Sequence, residues 1–229
     1  MSSPKLSLLE QFAVLGKALA NAHRLDLLEL IAQAERGVEE LAQASGLSIA
    51  NASQHLQVLR RSGLVVSRKS GQQVLYRLSG DDVLGLLAAL RLTAERHVAE
   101  VGRLVQGYFK EKDKLEPVTR EDLVQRMKEG LVTVLDVRPE QEYAQGHIPG
   151  SLNIPLKDLK KKLSALPPKT QIVAYCRGPY CVLAYEAVAA LRGVGRIALR
   201  LEDGFPEWRA AGLPVEEASA RSFNSESPE

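Results

Sequence analysis

The sequence predicts two domains. The first is mainly α-helical and includes a β-hairpin; the second is α/β with a mostly parallel sheet. Three observations carry this. The chain has 229 residues, and a typical domain uses about 100–150. Up to about residue 110, apolar residues recur at helical spacing, interrupted by one pair of strand-like runs. Beyond Pro117, apolar strands alternate with a helical stretch, the order that builds parallel sheets flanked by helices.

Residues 6–33 read as two helices, with Leu8, Phe12, Leu15 and Leu19 on the first and Leu25, Leu28 and Ile31 on the second. Gly37 breaks the pattern. Val38, Leu41 and Ala42 give a short helix ending at Gly46, a residue suited to the left-handed turn after a helix. Ser48 then stands as N-cap of a helix at 48–61. This helix turns Ala52, Leu56 and Leu59 inward and leaves Asn51, Gln54, His55 and Arg60 on or near its other face. Gly63 closes it. The runs Leu64–Ser67 and Val74–Leu78, joined by a Gly-containing connection, read as a β-hairpin. From Asp82 to about Lys110, Leu87, Leu90, Ala94, Val98, Val101, Val105 and Tyr108 recur in steps of three and four. The spacing predicts one helix of about 28 residues, roughly 42 Å long at 1.5 Å per residue. A small domain cannot cover such a helix, so self-association is expected.

The charged stretch at 111–116 reads as a linker between a domain at 1–110 and a domain at 117–215. In the second domain Val132–Val137, Gln171–Tyr175 and Ile197–Leu201 are strands and Val182–Arg192 is a helix. The tail at 216–229, rich in Ser and Glu, is expected to be disordered.

Composition narrows the function. Hydrophobic content of 45% and charged content of 25% suit a globular protein. No apolar run approaches the roughly 18 residues a membrane span needs, and the N-terminus lacks a signal-peptide core, so a cytoplasmic location is expected. The only cysteines are Cys176 and Cys181. A disulfide that close in sequence would staple little, and a reducing cytoplasm disfavours it, which points to a reactive role. Net charge is +2, yet no acidic residue lies between Glu40 and Asp81, where Arg60, Arg61, Arg68, Lys69 and Arg77 all fall. Such a one-sign stretch is the footprint of a nucleic-acid face, or of a solvated basic surface.

Helix, short helix, tight turn, helix and hairpin make a winged helix-turn-helix with 48–61 as recognition helix. Its wording is Lys17-Ala18-Leu19-Ala20, His23-Arg24-Leu25, Ser53-Gln54-His55-Leu56-Gln57-Val58-Leu59-Arg60, Ser62-Gly63-Leu64-Val65 and Tyr76-Arg77-Leu78. Over about residues 6–110 this resembles the ArsR family of bacterial repressors. The amides of Asn51 and Gln54 suit base edges in the major groove of double-stranded DNA. Ser48, Ser53, His55, Arg60, Arg68 and Lys69 suit phosphate contacts, although Ser48 also serves as a cap and His55 as a packing residue. Metal sensing, which many relatives share, is not expected. The helix 38–44 has no cysteine, and His97 with Glu100 falls short of the three or four ligands a site needs.

The second domain carries Leu135-Asp136-Val137-Arg138, Glu142-Tyr143, Gly146-His147-Ile148-Pro149-Gly150, Asn153-Ile154-Pro155, Val173-Ala174-Tyr175-Cys176-Arg177, Asp203-Gly204-Phe205-Pro206-Glu207-Trp208 and Gly212-Leu213-Pro214. In this order they resemble the rhodanese (sulfurtransferase) superfamily. Cys176 follows an apolar strand, and the loop Arg177, Gly178, Pro179, Tyr180 and Cys181 leads into a helix. Amides at a helix N-terminus make an anion cradle and lower a thiol pKa, and Arg177 is expected to add a positive charge beside Cys176. The resemblance implies attack of Cys176 on a sulfane sulfur to form a persulfide. Related phosphatases carry an Arg six residues after the cysteine, but Val182 stands there. Pro179 replaces a common Gly, and Cys181 replaces an Arg that often closes the loop, which disfavours ordinary thiosulfate turnover. Cys181 is then either a second reactive thiol or a small buried hydrophobe.

The combined reading is a homodimeric, DNA-binding transcriptional repressor whose rhodanese domain accepts or senses sulfane sulfur at Cys176. The donor would be thiosulfate, polysulfide or a persulfide, and no cofactor is implied. A Cys176–Cys181 crosslink would be the switch, with the long helix as the connection to the dimer interface. Two alternatives stay open: a sulfurtransferase that uses the winged helix only to dimerise or localise, and a regulator with a catalytically silent rhodanese domain.

Overall fold

In the computed structural model, which describes residues 3–110, 117–168 and 170–217, polar caps start the first helices. Ser3 accepts the Leu6 N–H at the head of α1 (Pro4–Leu19), and Asn21 accepts the Arg24 N–H at the head of α2 (Ala22–Gln33). The Arg24 guanidinium donates back to the carbonyls of Lys17 and Ala18, fixing the α1–α2 corner. β1 (Arg36–Gly37) and α3 (Val38–Ser45) follow, and Gly46 ends α3 with φ 67°, the left-handed cap that glycine adopts without strain. α4 (Ile49–Arg61) buries Ala52, Leu56 and Leu59 against α2 and α3. β2 (Val65–Ser70) and β3 (Gln73–Leu78) make the hairpin, and β1 joins it in the antiparallel order β1-β3-β2. At two residues, β1 is too short to leave a periodicity in the sequence.

The single helix expected over 82–110 is broken. α5 (Asp82–His97) stops at Val98, which is extended at φ −107° and ψ 102°. α6 (Ala99–Leu104) restarts there and runs into a π-helical turn, Val105–Lys110. A β-branched residue gives up helical geometry at modest cost, and a tertiary contact accompanies the break. Phe109 packs on Tyr180 and Tyr185 of the second domain, with ring centroids 5.2 and 4.9 Å apart.

The second domain begins with α7 (Arg120–Lys128), capped by Thr119. β4 (Val132–Asp136), α8 (Glu140–Ala144), β5 (Leu152–Asn153), α9 (Leu156–Leu159), β6 (Gln171–Tyr175), α10 (Val182–Gly193), β7 (Ala198–Arg200) and α11 (Phe205–Ala210) follow. All four strands are parallel, in the order β5-β4-β6-β7. Alternation along β6 serves two cores. Ile172, Ala174 and Cys176 face the α10 side with Ala187 and Val188, while Val173 and Tyr175 face Leu123, Phe205 and Trp208. Glu216, assigned from the sequence to a disordered tail, exchanges backbone hydrogen bonds with His147 at 2.8 and 3.0 Å and so belongs to the fold. The linker 111–116 and the tail from 218 lie outside the described residues. Among those described, no helix is long and apolar enough to cross a membrane.

Beneath the cysteine loop, Asp136 and Arg138 form an ion pair with both side chains at 0% exposure. Arg138 also donates to the Gly146 carbonyl at 2.8 Å and lies 4.3 Å over the Phe205 ring. Asp136→Ala would leave this guanidinium buried without its counter-charge, which costs about 3–5 kcal/mol. Chemical denaturation followed by Trp208 fluorescence is expected to show that loss. An unchanged midpoint would mean that the pair does not hold the domain together.

Candidate functional site

Cys176 leaves the carboxyl end of β6 and is 1% exposed. The next four residues turn back, the Cys181 N–H donates to the Gly178 carbonyl at 3.1 Å, and α10 starts at Val182. This turn brings the Cα atoms of Cys176 and Cys181 to 6.0 Å, and the two sulfurs are joined in a disulfide. The sequence argument for two thiols is corrected here for a local reason: the loop already holds both residues within the span a disulfide bridges. The Cys181 amide, expected in an anion cradle, is taken up inside the turn. Gly204 supports the loop from below. A side chain there would sit 2.3 Å from the Gly178 nitrogen, and the adjacent Phe205 N–H donates to the Cys176 carbonyl at 3.0 Å.

From above, the loop meets the first domain. Gln33, at the end of α2 and fully buried, donates to the Arg177 carbonyl at 3.0 Å and to the Glu29 carbonyl at 3.1 Å, and accepts from Arg138 at 3.3 Å. The Arg177 guanidinium turns to both oxygens of Glu142, on α8, at 2.5–3.1 Å. Glu142 also accepts from Arg36 of β1 at 3.1 Å. The charge that Arg177 was expected to lend to Cys176 is therefore matched by Glu142. Pro179 receives a hydrogen bond on its carbonyl from Tyr185. Tyr180 bonds to Glu95 of α5; burial first, then that carboxylate, push its hydroxyl far up, so it stays protonated. Arg91 of α5 lies beside Gly178 and pairs with Glu207 at 2.8 Å. A cleft of about 240 Å³ opens next to this cluster, lined by Arg36, Glu40, Gln43, Pro139, Glu142 and Arg177 among others.

Sequence reasoning missed Gln33, Arg36, Arg91 and Glu142 as participants. Glu142 lies within a quoted motif, but nothing in the pattern marks it as buried. Gln33 shows one signal, a polar side chain in an otherwise apolar stretch of α2.

The face expected to meet DNA is built locally. On α4, Asn51, Gln54 and Arg60 are exposed, while Ser53 and His55 are half-buried. The exposed Ser48 hydroxyl accepts the Asn51 N–H as the helix cap. His55 sits 5.8 Å from the His23 ring, and burial, then Arg24 and His23, lower its pKa, so it is neutral at pH 7 and a weaker phosphate ligand than a cation. Arg60 reaches Ser67 of the hairpin at 3.5 Å. Arg68 makes a two-pronged pair with Glu35 at 2.5–2.9 Å, so its charge is already balanced, whereas Lys69 and Arg77 are exposed on the hairpin. Among the described residues, no group of three or more His, Cys, Asp and Glu side chains is arranged to hold a metal ion.

Known proteins bear on both regions. A rhodanese-like domain model matches residues 119–211 and a helix-turn-helix domain model matches residues 19–68. The chain is 45% identical over 218 residues to the HTH-type transcriptional regulator Rv0324 of Mycobacterium tuberculosis, covering 95% of this chain and 96% of that one. It is 36% identical over 86 residues to a sulfurtransferase of Allochromatium vinosum, covering 37% of this chain and 78% of that one. Among solved structures, the homodimeric winged helix-turn-helix DNA-binding domain Mb0332 from Mycobacterium bovis is 45% identical. That match covers 43% of this chain and 91% of the other, with a TM-score of 0.40.

The charge cluster has a pH signature. Burial pushes the Glu142 carboxyl up, but Arg177 and Arg36 outweigh it and hold the group below its ordinary value of 4.5. Its share of stability is therefore complete above that value and is lost as pH falls through the folded one. Asp26 and Glu29 are raised, chiefly by burial, so their contributions run the opposite way and are lost as pH rises. Comparison with Glu142→Gln isolates the first effect. The Tm gap between wild type and Glu142→Gln is expected to be widest at neutral pH and to begin narrowing near the ordinary glutamate value. It closes only as pH falls through the lower folded value. A gap that does not change with pH counts against the cluster.

Proposed function

The chain belongs to the HTH-type transcriptional regulators that join an ArsR-like winged helix-turn-helix to a rhodanese-like domain, and we propose that it binds double-stranded DNA as a homodimer and senses sulfane sulfur at Cys176. The observation that carries this reading is the seat of the cysteine loop, packed against the DNA-binding domain. A turnover enzyme needs an open mouth over its nucleophile, whereas Cys176 is 1% exposed and the loop above it is held by α2, β1 and α5. A regulator needs the sulfur chemistry next to the element it controls.

In the dithiol state the Cys176 thiolate attacks the sulfane sulfur of a polysulfide or thiosulfate. The sulfur–sulfur bond of the donor breaks, Cys176 becomes a persulfide, and a shortened polysulfide or sulfite leaves. Asn51 and Gln54 read bases, and Ser48, Ser53, His55, Arg60, Arg68 and Lys69 contact phosphates, the hairpin lysine more strongly than the Glu35-bound Arg68. A second copy covers apolar side chains that one protomer leaves exposed, among them Leu8 and Phe12 of α1 and Leu90 and Leu104 of α5–α6. The site of action is the cytoplasm, where DNA and a reducing environment coexist. Similarity to a sulfurtransferase favours an enzymatic second reading. Sustained turnover together with equal affinity for all DNA sequences would decide for it.

Two tests follow from these roles. Gln54→Ala is expected to cost about tenfold on the preferred duplex and little on random DNA, while Lys69→Ala weakens both and lowers the salt slope by about one. Competition binding at several salt concentrations separates these patterns, and equal losses on all sequences in both variants would refute base reading by Gln54. For the sulfur site, the reduced protein treated with thiosulfate or polysulfide is expected to gain one sulfur by intact-mass spectrometry, removable by cyanide. Cys176→Ser should gain none, and label on that variant would exclude Cys176 as acceptor.

A further inference from the structure

We infer that residues 33–36, the corner between α2 and β1, transmit the state of the Cys176–Cys181 bond to the β2–β3 wing, with Gln33 and Arg36 as positioning residues. The inference rests on the sulfur-sensing reading above and adds the route by which it reaches DNA. Within four consecutive residues this corner grips the loop and the wing together. Gln33 donates to the Arg177 carbonyl. Glu35 holds Arg68, halfway along β2. Arg36 shares Glu142 with Arg177, and its own backbone lies opposite Tyr76 of β3, the residue that also faces Ser67 of β2. Tyr76 is buried in the first domain's core, so β1 and the wing move as one body.

The loop end of this linkage is sensitive to small displacement. Both donors of the Gln33 amide are used and its oxygen accepts one further hydrogen bond, from Arg138. Arg36 already holds a buried Nε with no hydrogen-bond partner among the described residues. Any shift of Arg177 therefore strips a buried polar contact from the corner, and such contacts are costly to lose. A second set of contacts, Tyr180 with Glu95 and Phe109, runs from the loop to α5 and the π-helical turn. It ends on the helices that carry exposed apolar residues, not on the wing. The sequence reading assigned the coupling to that side; the corner is the shorter way to DNA.

The chemistry that drives the corner is balanced within the loop and one donor. Cys176 thiolate takes the terminal sulfur of a polysulfide, which leaves one sulfur shorter. Cys181 thiolate then attacks the Cys176 Sγ, the persulfide S–S bond breaks, and hydrosulfide departs with the proton that Cys181 gave up. Two cysteine thiols are oxidised by two electrons, and the sulfane sulfur accepts them as sulfide. A dithiol reductant reverses the bridge. The bridge ties the end of β6 to the start of α10 while the loop between them rests its Arg177 carbonyl on Gln33 and its Arg177 guanidinium on Glu142; opening the bridge removes that covalent tie.

The test uses the full chain and the duplex that its reduced form selects from a random pool. Affinity is measured for dithiol and polysulfide-bridged protein, with bridging verified by loss of two thiol hydrogens in the intact mass. Wild type is expected to differ at least fivefold between the two states. Gln33→Leu and Arg36→Lys are expected to bridge as readily, yet to bind with affinities within twofold of each other in both states. Arg36→Lys keeps the charge and serves if Gln33→Leu does not fold. Phe109→Ala is expected to keep the full difference. Linkage adds an independent readout: saturating duplex must shift the midpoint potential of the cysteine pair by about 30 mV per tenfold difference in affinity, and the two corner variants must abolish the shift. A difference that survives in both corner variants, or vanishes in Phe109→Ala, overturns the route. Bridging without any difference in wild type overturns the coupling while leaving DNA binding and sulfur chemistry in place. Failure to select a duplex or to form a bridge defeats the sensing reading itself, and the inference falls with it.

Discussion

A carboxylate with 1% of its surface exposed must be met by cations or donors, because its charge has lost water. Glu142 is met by two guanidinium groups, Arg177 from the cysteine loop and Arg36 from the first domain. Its electrostatic demand is thus fully answered only while the domains are docked. A buried cluster of this kind adds little net stability over an apolar packing of the same volume, yet removing one member is expensive. Its effect is therefore geometrical: it specifies where the loop lies against β1. Gln33 imposes the same demand with neutral groups, since its amide reaches α2, the loop and the Asp136–Arg138 pair at once.

That arrangement changes what the sulfur site can do. In open α/β sheets the loop after a strand's carboxyl end, at the start of the next helix, is where ligands bind. Here the first domain occupies the approach, with Gln33, Arg91 and Tyr180–Phe109 around the loop. Cys176 is 1% exposed beneath this cover, so any reagent approaching it from that side would first have to displace the first domain's contacts. Arg177 is matched by Glu142 within the second domain itself, and Arg36 of the first domain shares that carboxylate.

The recognition helix was legible in the sequence because its determinants are close together. Ser48 caps the first turn, Ala52, Leu56 and Leu59 recur at helical spacing, and Asn51 and Gln54 are left outside by the same spacing. The break at Val98 was illegible for the converse reason. The apolar steps of three and four continue through it, and the contact that accompanies it belongs to Phe109 and the second domain. Arg68 shows the limit for charges: a basic residue in an acid-free stretch reads as a phosphate ligand, but Glu35 reaches it across β1 and β3.

The amino-acid sequence by itself determined the two domains, the caps and amphipathic faces of the main helices, the parallel strands, and the position of Cys176 at a strand end before a helix. Those features depend on backbone preferences and side-chain periodicities that act within a turn or two of the chain. Only the tertiary structure decided the partners of Arg177, the burial of Gln33, the sharing of Glu142 and the covered state of the cysteine loop. The groups involved lie 35 residues apart for Glu142 and Arg177, and 144 apart for Gln33 and Arg177. A buried charge or amide takes whichever partner packing brings to it, and no local pattern records that choice.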